Sequence, residues 1–156
     1  MPTKKTLRLI LGDQLNSQHS WFNIVDNSIT YVLMEIRSET DYATHHIQKI
    51  VGFFAAMQNF AQALQEKNHK VIYISLNDKI NKQSFDKNIS QLINEYKFNC
   101  FEYQLPDEYR LNEHLMSFCN TLKIETKTTD TEHFLSTREE LGNFFKGKKT
   151  FLMESF

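Results

Sequence analysis

The stretch Leu7–Asn16, LRLILGDQLN, decides how the rest of the sequence is interpreted. Residues 7–11 form a short, mostly apolar run of the kind found in buried strands. Gly12 ends the run, and Asp13 and Gln14 follow at once. In α/β domains, ligands bind beyond the carboxyl ends of parallel strands. The stretch therefore predicts a short buried strand with a candidate ligand-binding turn at its end.

Strand-like and helical patterns alternate along the remaining chain. Apolar runs predict further strands at residues 29–36, 71–76, 98–105 and, more briefly, 124–127. Apolar positions at helical spacing predict helices at 41–67, 84–96, 107–122 and from about 137 to 147. This alternation predicts a Rossmann-like or flavodoxin-like three-layer α/β/α domain with a five-stranded, mostly parallel sheet.

Polar residues stand at the predicted starts of these helices. Side-chain oxygens at such positions satisfy the first amides of a helix, and a Glu three residues later can complete a capping box. Asn68 and Gly147 are suited to end the first and last helices. The candidate caps are Thr40, Asp41, Ser84, Asp107, Ser136 and Thr137.

Composition favours one packed domain. The chain has 156 residues, of which 13% are aromatic, and a net charge of -1. It contains no basic tract of the kind that binds nucleic acid independently, and no apolar stretch approaches the ~20 residues that span a bilayer. We therefore expect a cytoplasmic protein without membrane contact. Cys100 and Cys119 fall in apolar segments and are expected to be buried free thiols.

The turn after the first predicted strand has two interpretations. Gly12 would let a ligand approach the backbone closely, while Asp13 and Gln14 would offer an acceptor and an amide to a heteroaromatic edge or a hydroxylated chain. Alternatively, Gly12 only relieves a tight turn and Asp13 only caps it. The turn matches neither GxGxxG nor GxxxxGK[ST], so it does not indicate a pyrophosphate site.

Two other segments are rich in reactive side chains. SETDYATHH, residues 38–46, contains His45 and His46, but adjacent histidines on a helix point about 100° apart, so no metal site is predicted. PDEYR, residues 106–110, has a site interpretation and a structural one, in which Glu108 favours the helix dipole and Arg110 pairs with a nearby acid. The sequence shows no nucleophile set and no acid–base pair, so no catalytic residue is predicted.

Five stretches together resemble one family over essentially the whole chain. The stretches are LRLILGDQLN (7–16), MEIRSETDYATHHIQKIVGFFAAMQNFAQALQ (34–65), YQLPDEYRL (103–111), HFLSTREEL (133–141) and FFKGKKTFLMESF (144–156). Their order and spacing are similar to those of the deoxyribodipyrimidine photolyase-related family, which includes iron–sulfur bacterial cryptochromes and prokaryotic (6-4) photolyases.

The resemblance implies a larger protein. Members join an N-terminal α/β domain to a helical C-terminal domain that binds FAD, a [4Fe–4S] cluster held by four cysteines, and the DNA lesion. Residues 1–150 would form the N-terminal domain, and residues 151–156 would begin the connection to a helical partner domain that this sequence lacks. With two cysteines, the chain cannot hold a four-thiolate cluster. The resemblance thus implies a DNA photolyase, or a light sensor, whose catalytic part lies elsewhere.

In this family the α/β domain carries an antenna chromophore, 6,7-dimethyl-8-ribityllumazine. The resemblance implies that Asp13 or a neighbouring backbone group contacts the lumazine edge, that Glu39 accepts hydrogen bonds from ribityl hydroxyls and that Tyr42 packs against the ring. Arg37 adds a charge beside the pocket. Two other functions stay open: a nucleotide- or small-molecule-binding flavodoxin-like module, and a structural domain without a chromophore. The residues matched to the family's antenna site are Gly12, Asp13, Gln14, Leu15, Glu35, Glu39 and Tyr42.

Overall fold

A computed structural model describes residues 4–37 and 45–150 of the chain. The strands are β1 (Thr6–Leu9), β2 (Ile29–Met34), β3 (Lys70–Ile74), β4 (Cys100–Gln104) and β5 (Glu125–Thr129). The helices are α1 (Ile47–Glu66), α2 (Phe85–Tyr96), α3 (Tyr109–Thr121) and α4 (Arg138–Phe145). A short 3-10 helix, Ser20–Phe22, was not predicted from the sequence.

The five strands form one parallel sheet in the order β3-β2-β1-β4-β5. β1 is central, and its Leu7 lies opposite Thr30 of β2 and Phe101 of β4. The chain moves outward from β1 to β3, then crosses back to begin the other half of the sheet with β4. The β1–β4 boundary is therefore the switch point where an α/β sheet opens a crevice. The predicted α/β architecture is confirmed.

Alternation along the strands divides the core between the two faces of the sheet. Buried residues on one face pack with α2 and α3; they include Leu7, Leu9, Phe101, Tyr103, Ile89, Leu92, Leu115 and Phe118. Buried residues on the other face pack with α1 and the 3-10 helix; they include Ile10, Tyr31, Leu33, Trp21, Phe22, Met57, Ala61 and Leu64. Because both faces are covered, the central strands read as nearly continuous apolar runs.

The predicted start of α1 at Asp41 is wrong, because the helix begins at Ile47. His46 is its N-cap, and the imidazole Nδ1 accepts a hydrogen bond from the backbone N–H of Gln48 at 3.2 Å. Thr40 and Asp41, the predicted caps, lie outside the described residues. At the other end, Asn68 adopts a left-handed conformation with φ of 65°, which agrees with its predicted role as a stop.

The other caps agree with prediction only in part. Ser84 and Thr137 occupy N-cap positions, but neither side chain makes a capping hydrogen bond. The N-cap of α3 is Glu108, so the prediction that Asp107 caps this helix is wrong. The Asp107 carboxylate instead accepts a 2.6 Å hydrogen bond from Arg138. Gly147 has a φ of 78° just beyond α4, where glycine is favoured.

Two of the remaining expectations concern cysteines and the membrane. Cys100 is fully buried, while Cys119 is only partly so, and both are free thiols. Within residues 4–37 and 45–150, no helix has the length and apolar character needed to cross a bilayer. The predicted connecting segment, residues 151–156, lies outside the described part of the chain.

A charged pair lies within the α1 face of the sheet. Arg8 of β1 donates from Nε to Glu102 of β4 at 2.7 Å, and the exposed fractions of the two side chains are only 16% and 10%. The Arg8 guanidinium also stands 4.7 Å from the centroid of the Trp21 ring and donates to the hydroxyl of Tyr31. The aromatic contacts and hydrogen bonds compensate for the water that the guanidinium loses.

Candidate functional site

A pocket of about 200 Å³ opens at the carboxyl edge of the sheet. Its floor consists of apolar side chains that leave the ends of β1 and β2: Ile10, Leu11, Met34 and Ile36. The α1 side contributes Phe53 and Met57, and the starts of α2 and α3 contribute Phe85 and Leu111. The pocket therefore lies at the switch point, as the order of the strands predicts.

Polar and charged groups surround this apolar interior. Asp13 and Glu108 follow β1 and β4, while His45 and Lys49 come from the segment at the start of α1. The Lys49 ammonium lies 3.4 Å from Nδ1 of His45. An apolar slot with a few polar groups at its rim is typical of sites for flat organic ligands.

Gly12 leaves room for the ends of two side chains of α1. A Cβ at this position would lie 2.9 Å from the sulfur of Met57 and nearer still to the end of the Phe53 ring. Among the glycines of the described residues, Gly147 has a positive φ and Gly12 does not. A tight turn with positive φ therefore does not explain the glycine at position 12. The backbone of Gly12 thus forms part of the pocket wall and is in contact with the helix.

Asp13 lies at the rim of the pocket. Although the residue is exposed, neighbouring atoms displace enough water from its carboxylate to raise its pKa, and the negative charges of Asp107 and Glu108 raise it further. Its own backbone N–H and His133 lower the pKa, but by less. A carboxylate in this state gains stability from a ligand that donates a hydrogen bond.

The raised pKa of Asp13 predicts that its ionised carboxylate lowers the free energy of unfolding as the pH rises. The protonated form contributes stability below the ordinary carboxyl pKa of 3.8, and that contribution is lost as the pH rises through the higher folded-state pKa. Asp13→Asn should therefore become more stable relative to wild type between pH 3.8 and neutrality. Urea unfolding at several pH values measures the difference, with Glu95→Gln on the exposed face of α2 as control. A difference that is constant with pH would contradict the assignment.

The structure places Gln14 in the interior, where it is 1% exposed. Its Oε1 accepts from the backbone N–H of Leu11, and its Nε2 donates to the backbone oxygen of Gln104, each at 3.1 Å. The side chain therefore joins the ends of β1 and β4. Leu15 packs against the apolar cluster on the α1 face. The residues of the turn that line the pocket are Gly12 and Asp13.

Glu35, at the end of β2, is also engaged with the protein. One carboxylate oxygen accepts from the Tyr73 hydroxyl at 2.5 Å, and the other accepts from the backbone N–H of Leu76 at 2.7 Å. Burial and the neighbouring Glu35 carboxylate raise the pKa of Tyr73. Glu35 therefore holds the ends of β2 and β3 together, and its predicted contact with a ligand remains a prediction.

Three further residues named in the sequence analysis lie within or next to the undescribed residues 38–44. Glu39 and Tyr42 lie outside the described residues, so their antenna roles remain predictions. Arg37 is the last described residue before the gap, and its backbone N–H donates to Oε1 of Gln83 at 3.1 Å.

The PDEYR segment combines both of its interpretations. Glu108 lines the pocket and also accepts a hydrogen bond from Arg110, so the predicted ion pair is present at the pocket rim. Sequence reasoning did not identify Lys49, Phe53 or Leu111 as pocket residues. A usable signal existed, because each lies in an early turn of a helix that follows β2 or β4.

Comparison with known proteins identifies the family of the chain. The family model described as deoxyribodipyrimidine photo-lyase-related protein matches residues 8–156. A (6-4) photolyase of Agrobacterium fabrum (strain C58 / ATCC 33970) is 32% identical over 151 residues, which is 96% of this chain. The match spans only 30% of that relative's length. The chain therefore belongs to the deoxyribodipyrimidine photo-lyase-related protein family.

Proposed function

We propose that this chain is the light-harvesting domain of a photolyase- or cryptochrome-related flavoprotein and that its pocket binds an antenna chromophore. The observation that carries the proposal is the small apolar pocket at the switch point, with the Asp13 carboxylate at its rim. Such a pocket suits a flat heteroaromatic ring system with N–H or O–H donors at its edge. The ligand that the family resemblance favours is 6,7-dimethyl-8-ribityllumazine.

The residues of the pocket fit this chromophore by their chemistry. Ile10, Met34 and Ile36 would exclude water from one side of the ring system, and Gly12 would allow it to approach the backbone. Asp13 would accept a hydrogen bond from the ring edge or a ribityl hydroxyl. When bound, the chromophore would absorb light and pass its excitation to a flavin. The chain's own part is to hold the ring rigidly and dry; no residue here is proposed to be catalytic.

The activity of the whole protein is part of the proposal. The chain spans 30% of the length of a relative named as a (6-4) photolyase. We propose light-driven DNA repair or blue-light sensing in the cytoplasm, with FAD and a [4Fe–4S] cluster in a helical C-terminal domain that also contacts DNA. Within the described residues, no group of three or more His, Cys, Asp or Glu side chains could hold a metal ion.

Titration of the purified chain into 6,7-dimethyl-8-ribityllumazine tests the proposal by fluorescence anisotropy. Saturable binding is expected, and Asp13→Ala should weaken it about 10–100-fold, since a hydrogen bond to a charged group contributes about 1.5–3 kcal/mol. Glu95→Gln removes an acid on α2 and should leave affinity unchanged. Unchanged anisotropy at high protein concentration would reject chromophore binding and favour a purely structural domain.

A further inference from the structure

We propose that Phe53 determines how large a ring system the pocket admits, by acting as the movable part of its wall. The inference rests on the proposed function and specifies the class of ligand: two fused rings in preference to three. Phe53 lies in α1, and the end of its ring occupies the space directly beside Gly12, where a Cβ would collide with it.

The size of the pocket makes this position decisive. Its volume is about 200 Å³, whereas sites for small organic ligands usually measure ~300–1,000 Å³. Space for more than a compact ring system must therefore come from displacement of a wall. Growth into the floor is opposed, because Ile10 and Ile36 are 1% and 0% exposed and belong to the packed ends of β1 and β2.

Phe53 is the most exposed of the apolar side chains that line the pocket. It is 37% exposed, whereas Met57, one turn later on α1, is 2% exposed and anchored in the core. Before Met57, α1 has no buried residue, and its apolar side chains Ile47 and Val51 are 65% and 58% exposed. Rotation of Phe53 towards solvent would enlarge the pocket beside Gly12, but it would expose more of the ring to water, so a ligand that needs the extra space binds at a cost.

Two probes that share a ribityl chain test the inference on the full chain. 6,7-dimethyl-8-ribityllumazine has two fused rings and riboflavin has three. Wild type is expected to bind the lumazine at least about tenfold more tightly than riboflavin, and Phe53→Ala should reduce that preference by about tenfold or more. Val51→Ala truncates an exposed apolar residue of the same helix and should leave the preference unchanged.

A substitution on the other side of the contact, at Gly12, distinguishes a specific effect of Phe53 from a general destabilisation of α1. Gly12→Ala adds a methyl group where Phe53 and Met57 stand, so it should weaken binding of both probes. Adding Phe53→Ala to that variant should restore part of the lumazine affinity, because the new methyl then has room. Urea unfolding of each variant identifies any that fail to fold.

The outcomes separate this inference from the proposed function. If wild type binds the lumazine and Phe53→Ala leaves the ratio of the two affinities unchanged, the role of Phe53 is overturned and the antenna function stands. If folded wild type and folded Phe53→Ala both bind neither probe, the proposed function fails and this inference fails with it.

Discussion

Replacing Arg8 with methionine is expected to lower the free energy of unfolding by about 3–5 kcal/mol. The substitution leaves Glu102 with its carboxylate in a site where that side chain is only 10% exposed and has lost its 2.7 Å partner. It also removes the cation that stands 4.7 Å from the Trp21 ring centroid. Urea denaturation, followed by the fluorescence of Trp21, measures the change.

Two controls distinguish a buried charge from a general packing defect. The double variant Arg8→Met with Glu102→Leu removes both charges and should recover most of the lost stability, because neither partner is then left uncompensated. Lys4→Met breaks an ion pair with Glu125 in which both side chains are about half exposed, and it should leave stability nearly unchanged. A single Arg8 variant as stable as wild type would refute the interpretation.

Replacing Gln14 with alanine is expected to cost about 2–6 kcal/mol of stability, since it leaves two polar groups buried without a partner and each costs about 1–3 kcal/mol. The two groups are the backbone N–H of Leu11 and the backbone oxygen of Gln104, which Gln14 bonds at 3.1 Å each. Urea denaturation is again the measurement. Gln58→Ala, on an exposed position of α1, should stay within about 0.5 kcal/mol of wild type.

Comparison of the Gln14 and Asp13 variants also distinguishes a residue that holds strands together from a residue that contacts the ligand. Asp13→Asn should not lower stability at neutral pH although it affects chromophore binding, whereas Gln14→Ala should act first on stability. If Gln14→Ala abolished chromophore binding without any loss of stability, Gln14 would contact the ligand and its assignment as the bond between β1 and β4 would be wrong.

Local patterns in the sequence were sufficient for the architecture. The apolar run ending at Gly12 predicted a short buried strand, and alternating strands and helices predicted a parallel sheet whose carboxyl edge carries a crevice. These predictions succeed because side-chain periodicity depends on neighbours in the chain. Helix starts were predicted less well: α1 begins at Ile47 because His46 supplies the capping acceptor, which residue preferences alone do not favour.

Other features of the site are determined by partners distant in the chain. The sequence identified Gly12, Asp13, Gln14 and Glu35 as polar or permissive residues at strand ends, without indicating which would face a ligand. Gln14 reaches a backbone oxygen 90 residues away, and Glu35 bonds Tyr73 38 residues away, so both are engaged in holding strands together.

What the sequence by itself determined is the class of fold and the edge of the sheet where a ligand would bind. Only the tertiary structure decided that Gly12 packs against α1 and that Arg8 pairs with Glu102, 94 residues later. The physical reason is that burial and hydrogen-bond pairing depend on which segments meet in space. A residue's own type limits its possible partners, but the packing of the sheet and helices selects among them.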